Sequence, residues 1–301
     1  MPFLREKSGK WSPEKIIAFA GACVPILWLA WRAWSGDLSA ARPVNDAIHS
    51  TGNYTVWLVI ISLAISPARR LFMAPKLVNM RRTLGVAAFC YAALHITLYT
   101  VDQKYDLAKV VSEIALRFYL TIGFVALLGL ITLAATSTDG MIKRLGAARW
   151  NRLHQAVYVI AILGVIHFLL QTKIEISESI MAAGFLVWLL GYRVLHRLVG
   201  DVTVVWQLVL TVAATVLTAC GEALWYGVLS STAAGSRVFA ANLNWDLAPR
   251  PAHWVLIVGL SVTLAAFLWS LKTREEKPSR RTRVRPSTPT TTVGAIQTQP
   301  N

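Results

Sequence analysis

Six histidines occur in this chain of 301 residues: His49, His95, His154, His167, His196 and His253. Three of them, His95, His154 and His167, fall within or at the start of long apolar runs, where an ionisable side chain is costly and is kept for function. His95 lies 13 residues beyond Arg82, and His167 lies 13 residues beyond His154. At the helical rise each spacing climbs roughly 20 Å, so His95 and His167 share one depth if both runs are helices that start from the same side. Two neutral imidazoles facing each other from neighbouring helices can hold a b-type haem through both axial positions. His154, about 20 Å lower by the same rise, would suit a second haem. The matching depth on the opposite run is held by Arg81 and Arg82, which cannot ligate iron but can bind haem propionates or a flavin phosphate. An ideal helix also leaves His154 and His167 about 140° apart in direction, so a stacked pair of sites needs a kink or a bulge between them. The chemistry therefore reads as one haem at His95 and His167, with a second at His154 as the alternative.

The competing reading is that these are interhelical histidines satisfied by Ser, Thr or backbone groups, as in a transporter. His49, His196 and His253 lie at predicted span ends and read as solvated loop or end residues. Glu222 is an acid well inside an apolar run, suited to carrying a proton, pairing with another helix or sitting in a wet pocket. Tyr91, Tyr99 and Tyr158 stand one helical turn from His95 or His154, where they could line a haem face or hydrogen-bond a ligand, with packing as the ordinary alternative. Arg69, Arg70, Arg81 and Arg82 form a basic cluster that suits a phosphate or a propionate, or simple anchoring at the membrane surface. Cys23, Cys90 and Cys220 sit in apolar runs with no CxxC pair, and read as core packing residues.

These side chains need elements to hold them. The composition is 55% hydrophobic and 15% charged, with a mean hydropathy of +0.51, too apolar for an ordinary soluble domain. Eight apolar blocks cover about residues 16–34, 54–72, 83–100, 115–136, 155–171, 180–198, 204–229 and 252–271. Each is long enough to cross a hydrocarbon layer of about 30 Å as a helix. The predicted fold class is thus an all-α polytopic membrane protein. The first block carries Trp28, Trp31 and Trp34 and lacks a small-residue cleavage pattern, so it reads as an anchored span and not a cleaved leader.

Of the 30 lysines and arginines, 22 fall in the N-terminal segment, the loops after blocks two, four and six, and the C-terminal tail, against 8 on the other side. Positively charged loops stay cytoplasmic, so both termini are expected there. The net charge of +15 follows from this topology and from contact with anionic lipid, and nucleic-acid binding is excluded on that ground. The organisation predicted is a cytoplasmic segment over 1–15, a six-helix domain over 16–198, an added hairpin over 204–271 and a disordered basic tail over 272–301. The tail is too short for a flavin or nicotinamide domain, so electrons must come from a membrane pool or a separate protein.

Three stretches carry a family resemblance: STGNYTVWLVIISLAISPARRLF in block two, RRTLGVAAFCYAALHITLY around His95, and RWNRLHQAVYVIAILGVIHFLLQ around His154 and His167. Together they resemble the MsrQ, or YedZ, family within the ferric-reductase-like transmembrane superfamily. The resemblance covers about residues 16–198, the six-helix ferric-reductase-like part. It implies haem b as cofactor, with FMN as a further one, and matches His95, His154 and His167 to the family's haem-associated histidines. It implies electrons drawn from the quinone pool or a cytosolic flavin reductase, and passed to a periplasmic molybdopterin catalytic subunit that reduces methionine sulfoxide in oxidised envelope proteins. No position assigns an FMN contact. The chain departs from the family in length, through blocks seven and eight and the tail. Two other classes compete: a ferric or metal reductase component, which would need a flavin domain, and a non-redox transporter.

Overall fold

A computed structural model describes residues 11–172, 175–229, 234–246 and 248–275. Eight helices in it are long and apolar enough to cross a membrane, as the hydropathy predicts. They are α1 (Pro13–Ser35), α2 (Pro43–Leu71), α3 (Val78–Asp102), α5 (Phe118–Ala135), α7 with α8 (Ala147–His154 and Val157–Gln171), α9 (Ser177–Val199), α10 (Val204–Leu224) and α12 (Pro251–Glu275). Short helices α4 (Leu107–Leu116), α6 (Asp139–Leu145) and α11 (Gly235–Ala241) lie in the connections. The chain is an all-α, multi-pass membrane protein.

Helix starts follow local chemistry. α1, α2 and α12 open on prolines at the first turn, where the missing N–H costs nothing. α4 is capped by Asp106, whose carboxylate accepts from the Lys109 N–H at 2.9 Å. The outer faces of the spans are strongly apolar, with Val125, Leu128, Ile131, Val159 and Val212 all exposed, as lipid contact requires. The interior is built on Leu63, Ala88, Ala182 and Leu189, small or shape-filling residues that let the helices approach.

Several boundaries differ from the hydropathy blocks. The fourth block, taken as 115–136, is broken at Arg117, whose extended backbone separates α4 from α5. The fifth, taken as one helix over 155–171, begins earlier and is interrupted at Gln155 and Ala156, between α7 and α8. The tail assigned to 272–301 begins later, because α12 continues to Glu275; the rest of it, like residues 1–10 of the N-terminal segment, lies outside the described residues. Cys90 and Cys220 are exposed on the outer helix surfaces and not core residues, since helical periodicity turns them away from the bundle. His253, read as a solvated end residue, is 2% exposed, covered by Trp245 at 4.3 Å between ring centroids.

The last two spans pack on α9 and on each other. A Cβ on Gly191 would meet Leu210 at 2.6 Å, so the absent side chain allows the close approach of α9 and α10. Trp188 of α9 donates to the Thr211 hydroxyl of α10 at 3.1 Å. At one end of this hairpin the fully buried Glu222 pairs with Arg250 at 2.6 Å and accepts from Asn242 at 2.7 Å. Of the roles open to Glu222, the structure shows pairing.

Candidate functional site

Helices α2, α3, α5 and α8 surround a cavity of about 380 Å³. Its inner walls are apolar, including Val59, Leu130, Ile160 and Ala161, while Asn45, His49, Lys109, Glu113 and Arg117 line its polar mouth. His95 reaches it from α3 and His167 from α8, with ring centroids 6.3 Å apart and planes at 83°. The depth match read from the two 13-residue spacings corresponds to this juxtaposition.

The backbone orients both rings in the same way. His95 Nδ1 lies 2.8 Å from the Ile48 carbonyl oxygen of α2, and His167 Nδ1 lies 2.7 Å from the Tyr119 carbonyl oxygen of α5. A carbonyl can only accept, so each Nδ1 carries the proton and each Nε2 keeps a lone pair. No hydrogen bond joins either Nε2 to another described residue. Reaching a helical carbonyl from the side requires room. Gly52 and Gly123, each four residues after the accepting carbonyl, provide it: a Cβ on Gly52 would stand 3.0 Å from His95 Cε1, and one on Gly123 would stand 2.7 Å from His167 Nδ1. Neither glycine was singled out by the sequence reading, because a glycine in an apolar helix has many uses; the offset of four from a carbonyl is visible only once the partner helix is known.

Two such nitrogens can share one metal. With about 2 Å from an imidazole nitrogen to a first-row ion, and roughly 1 Å more to each ring centre, the centroids of two axial ligands stand about 6 Å apart. The observed 6.3 Å fits. Among the described residues no group of three or more His, Cys, Asp or Glu side chains could hold a metal, so an ion here must bring its remaining ligands with it.

The other predicted residues are elsewhere. His154 ends α7, stacked on Trp150 at 3.8 Å, with Nδ1 3.1 Å from the Trp150 carbonyl and Nε2 3.4 Å from the Ser137 hydroxyl. It thus meets the end of α5 opposite to the one His167 meets, and does not line the cavity. Arg82 pairs with Asp139 at 2.6 Å, tying α3 to α6, and Arg81 lies beside it at the start of α3. Tyr99 lines the cavity. Tyr91 does not: its hydroxyl accepts from the Ile26 N–H at 2.9 Å and donates to the Ala22 carbonyl at 2.7 Å. Pro25 disturbs α1 at this point, and Tyr91 is inserted between the two groups that would otherwise bond directly.

Comparison with known proteins places the chain in a family. Residues 51–165 match the ferric reductase like transmembrane component family, a stretch that contains Gly52, His95, Gly123 and His154 and stops two residues short of His167. The chain is 40% identical over 175 residues to a protein-methionine-sulfoxide reductase heme-binding subunit MsrQ of Caulobacter vibrioides, covering 58% of this chain and 83% of the relative. The chain belongs to the MsrQ family. The MsrQ of Rhodospirillum rubrum is 39% identical over 180 residues, 60% of this chain and 86% of its own. That of Xanthomonas campestris pv. campestris is 39% identical over 201 residues, 65% of this chain and 92% of its own. These MsrQ relatives match well under the full length of the chain, consistent with the departure in length that the sequence shows. No solved structure matches.

Proposed function

We propose that this chain is a transmembrane electron-transfer subunit that carries haem b between His95 and His167 and serves a methionine sulfoxide reductase. The observation that carries the reading is the pair of imidazoles 6.3 Å apart across an apolar cavity, each with Nδ1 bonded to a backbone carbonyl and Nε2 left for iron. The names of the MsrQ relatives, heme-binding subunits of a protein-methionine-sulfoxide reductase, support it.

The residues present fit the group. The carbonyls of Ile48 and Tyr119 fix the tautomer and strengthen each imidazole as a donor, the usual contribution of a ligand's outer partner. Val59, Leu130 and Ile160 keep water from the inner part of the cavity, and Lys109 and Arg117 at its mouth would face the propionates. Bound there, haem supplies one-electron iron chemistry, while the protein sets its depth, ligation and dielectric. Arg81, Arg82 and His154 belong to the opposite end of the bundle, where a second haem or an FMN would sit.

The positive-inside distribution supports both termini at the cytoplasmic face of a bacterial inner membrane, which puts the His95–His167 end at the periplasmic side. Electrons then run outward, from the quinone pool or a flavin reductase to a periplasmic molybdopterin catalytic subunit that reduces methionine sulfoxide. The test is a dithionite-reduced minus oxidised spectrum of the purified protein beside His95→Ala and His167→Ala. A b-type signal lost in either variant supports the reading; a colourless wild-type protein from haem-replete cells overturns it and favours the transporter. Reduction of the bound haem by a quinol or by a flavin reductase with NADH separates the donors.

A further inference from the structure

His95 and His167 are fixed in direction as well as in distance, and a shared iron would require only the distance. An imidazole bound through Nε2 can turn about the iron–nitrogen axis, and the torsion that orients a histidine ring is broad. Here each ring is held from behind. His95 Nδ1 donates to the Ile48 carbonyl oxygen of α2 at 2.8 Å, and His167 Nδ1 donates to the Tyr119 carbonyl oxygen of α5 at 2.7 Å. The Nδ1–Cε1 edge of each ring also lies in a notch that has no side chain. A Cβ on Gly52 would meet His95 Cε1 at 3.0 Å and Nδ1 at 3.1 Å, and one on Gly123 would meet His167 Nδ1 at 2.7 Å and Cε1 at 2.8 Å. The same construction, a carbonyl with a glycine four residues later, thus occurs on two helices. Because the two helices differ, the ring planes stand at 83° to each other.

Crossed planes have an electronic consequence for a haem iron held between them. The filled π orbital of an imidazole stands perpendicular to its ring and raises whichever iron dπ orbital it overlaps. Two parallel rings raise the same orbital and split the dπ pair. Ferric low-spin iron then leaves its electron hole in the raised orbital and is stabilised. Crossed rings raise one orbital each, so the pair stays nearly equal in energy and the ferric form loses that stabilisation. Ferrous low-spin iron has both orbitals full and is little affected. The balance therefore moves toward the reduced state, through the outer partners that orient the ligands.

We propose that Ile48 and Tyr119, through their carbonyls, and Gly52 and Gly123, through their missing side chains, are positioning residues that hold the axial imidazoles crossed and so raise the reduction potential of the iron. This rests on the haem reading above, but it can fail while that reading stands. A raised potential eases uptake of an electron from the donor and lowers the force with which it is passed on, so these four residues set the driving force on both sides of the haem. Since 83° is close to a right angle, a substantial turn of either ring, in either sense, brings the planes nearer to parallel.

The test is the electron paramagnetic resonance spectrum of the oxidised full-length protein in detergent, with a redox titration of the same sample. The signal read is the one present in the wild type and missing in His95→Ala. Near-equal dπ orbitals give a strongly anisotropic low-spin signal dominated by one large g value, whereas parallel planes give three resolved rhombic lines. The first is expected. A rhombic signal from a haem that depends on His95 overturns the proposal and leaves the haem reading intact; a wild-type protein without haem overturns both. Gly52→Ala places a methyl against the His95 ring, and the haem it retains should show a smaller maximum g value and a lower midpoint potential than the wild type. A purely structural role for Gly52 would lower haem content and leave the signal and potential of the remaining haem unchanged, which also overturns the proposal. If Gly52→Ala binds no haem, the wild-type spectrum decides alone.

Discussion

At the scale of single residues, the site depends on what is absent from two positions as much as on the histidines. A Cβ on Gly123 would fall 2.7 Å from His167 Nδ1, a distance at which the ring must move; on Gly52 it would fall 3.0 Å from His95 Cε1, which is tight and partly relieved by a small shift. Gly123→Ala is therefore expected to lose most of the bound haem and Gly52→Ala less of it. The haem-to-protein ratio checks this, and a wild-type ratio in Gly123→Ala would show that the ring is not held by the Tyr119 carbonyl. The histidines themselves were legible, because equal spacing from Arg82 and from His154, each at the start of its run, encodes equal depth. The choice of tautomer was not, since it is made by the carbonyls of Ile48 and Tyr119 on other helices, 47 and 48 residues away in sequence.

At the scale of elements, hydropathy gave the spans well and their interruptions poorly. A transfer free energy summed over a window reports length and apolarity, whereas the break at Gln155 and Ala156 contains neither proline nor glycine and has no effect on such a sum. That break lets His154 and His167 meet the two ends of α5, at Ser137 and Tyr119, although 13 residues of unbroken helix would point them about 140° apart. The disturbance in α1 follows from Pro25, which a hydropathy window passes over, and its partner Tyr91 is visible only in the structure. Tyr91→Phe leaves the Ile26 N–H and the Ala22 carbonyl without the bridging hydroxyl, and should cost about 1–2 kcal/mol, the upper range for hydrogen bonds between membrane helices. Thermal unfolding in detergent should move down while the haem spectrum stays unchanged. A spectral change would mean that α1 controls the cavity directly.

At the scale of the whole molecule, the four helices that carry the cavity are distinct from the last two spans, which pack on α9 and are closed at one end by Glu222 and Arg250. Glu222 is fully buried, and Arg250 keeps 28% of its side chain exposed. Glu222→Gln removes a buried charge while leaving its partner able to reach water, so the cost should fall below the several kcal/mol of a fully buried broken pair, at about 2 kcal/mol. Arg250→Gln is the harsher change. It strands a carboxylate that, among the described residues, keeps the Asn242 amide as its side-chain donor, and should destabilise the hairpin more than Glu222→Gln does. Glu222→Gln with Arg250→Gln should then cost less than the two single changes added together, because neither charge remains to be abandoned. Unfolding midpoints of the four proteins supply the cycle, and additive costs would mean that the pair does not act as a unit. Haem content measured on the same samples carries a second expectation. The pair lies outside the residues that line the cavity, so all four proteins should hold haem equally until the temperature at which the hairpin comes away from α9.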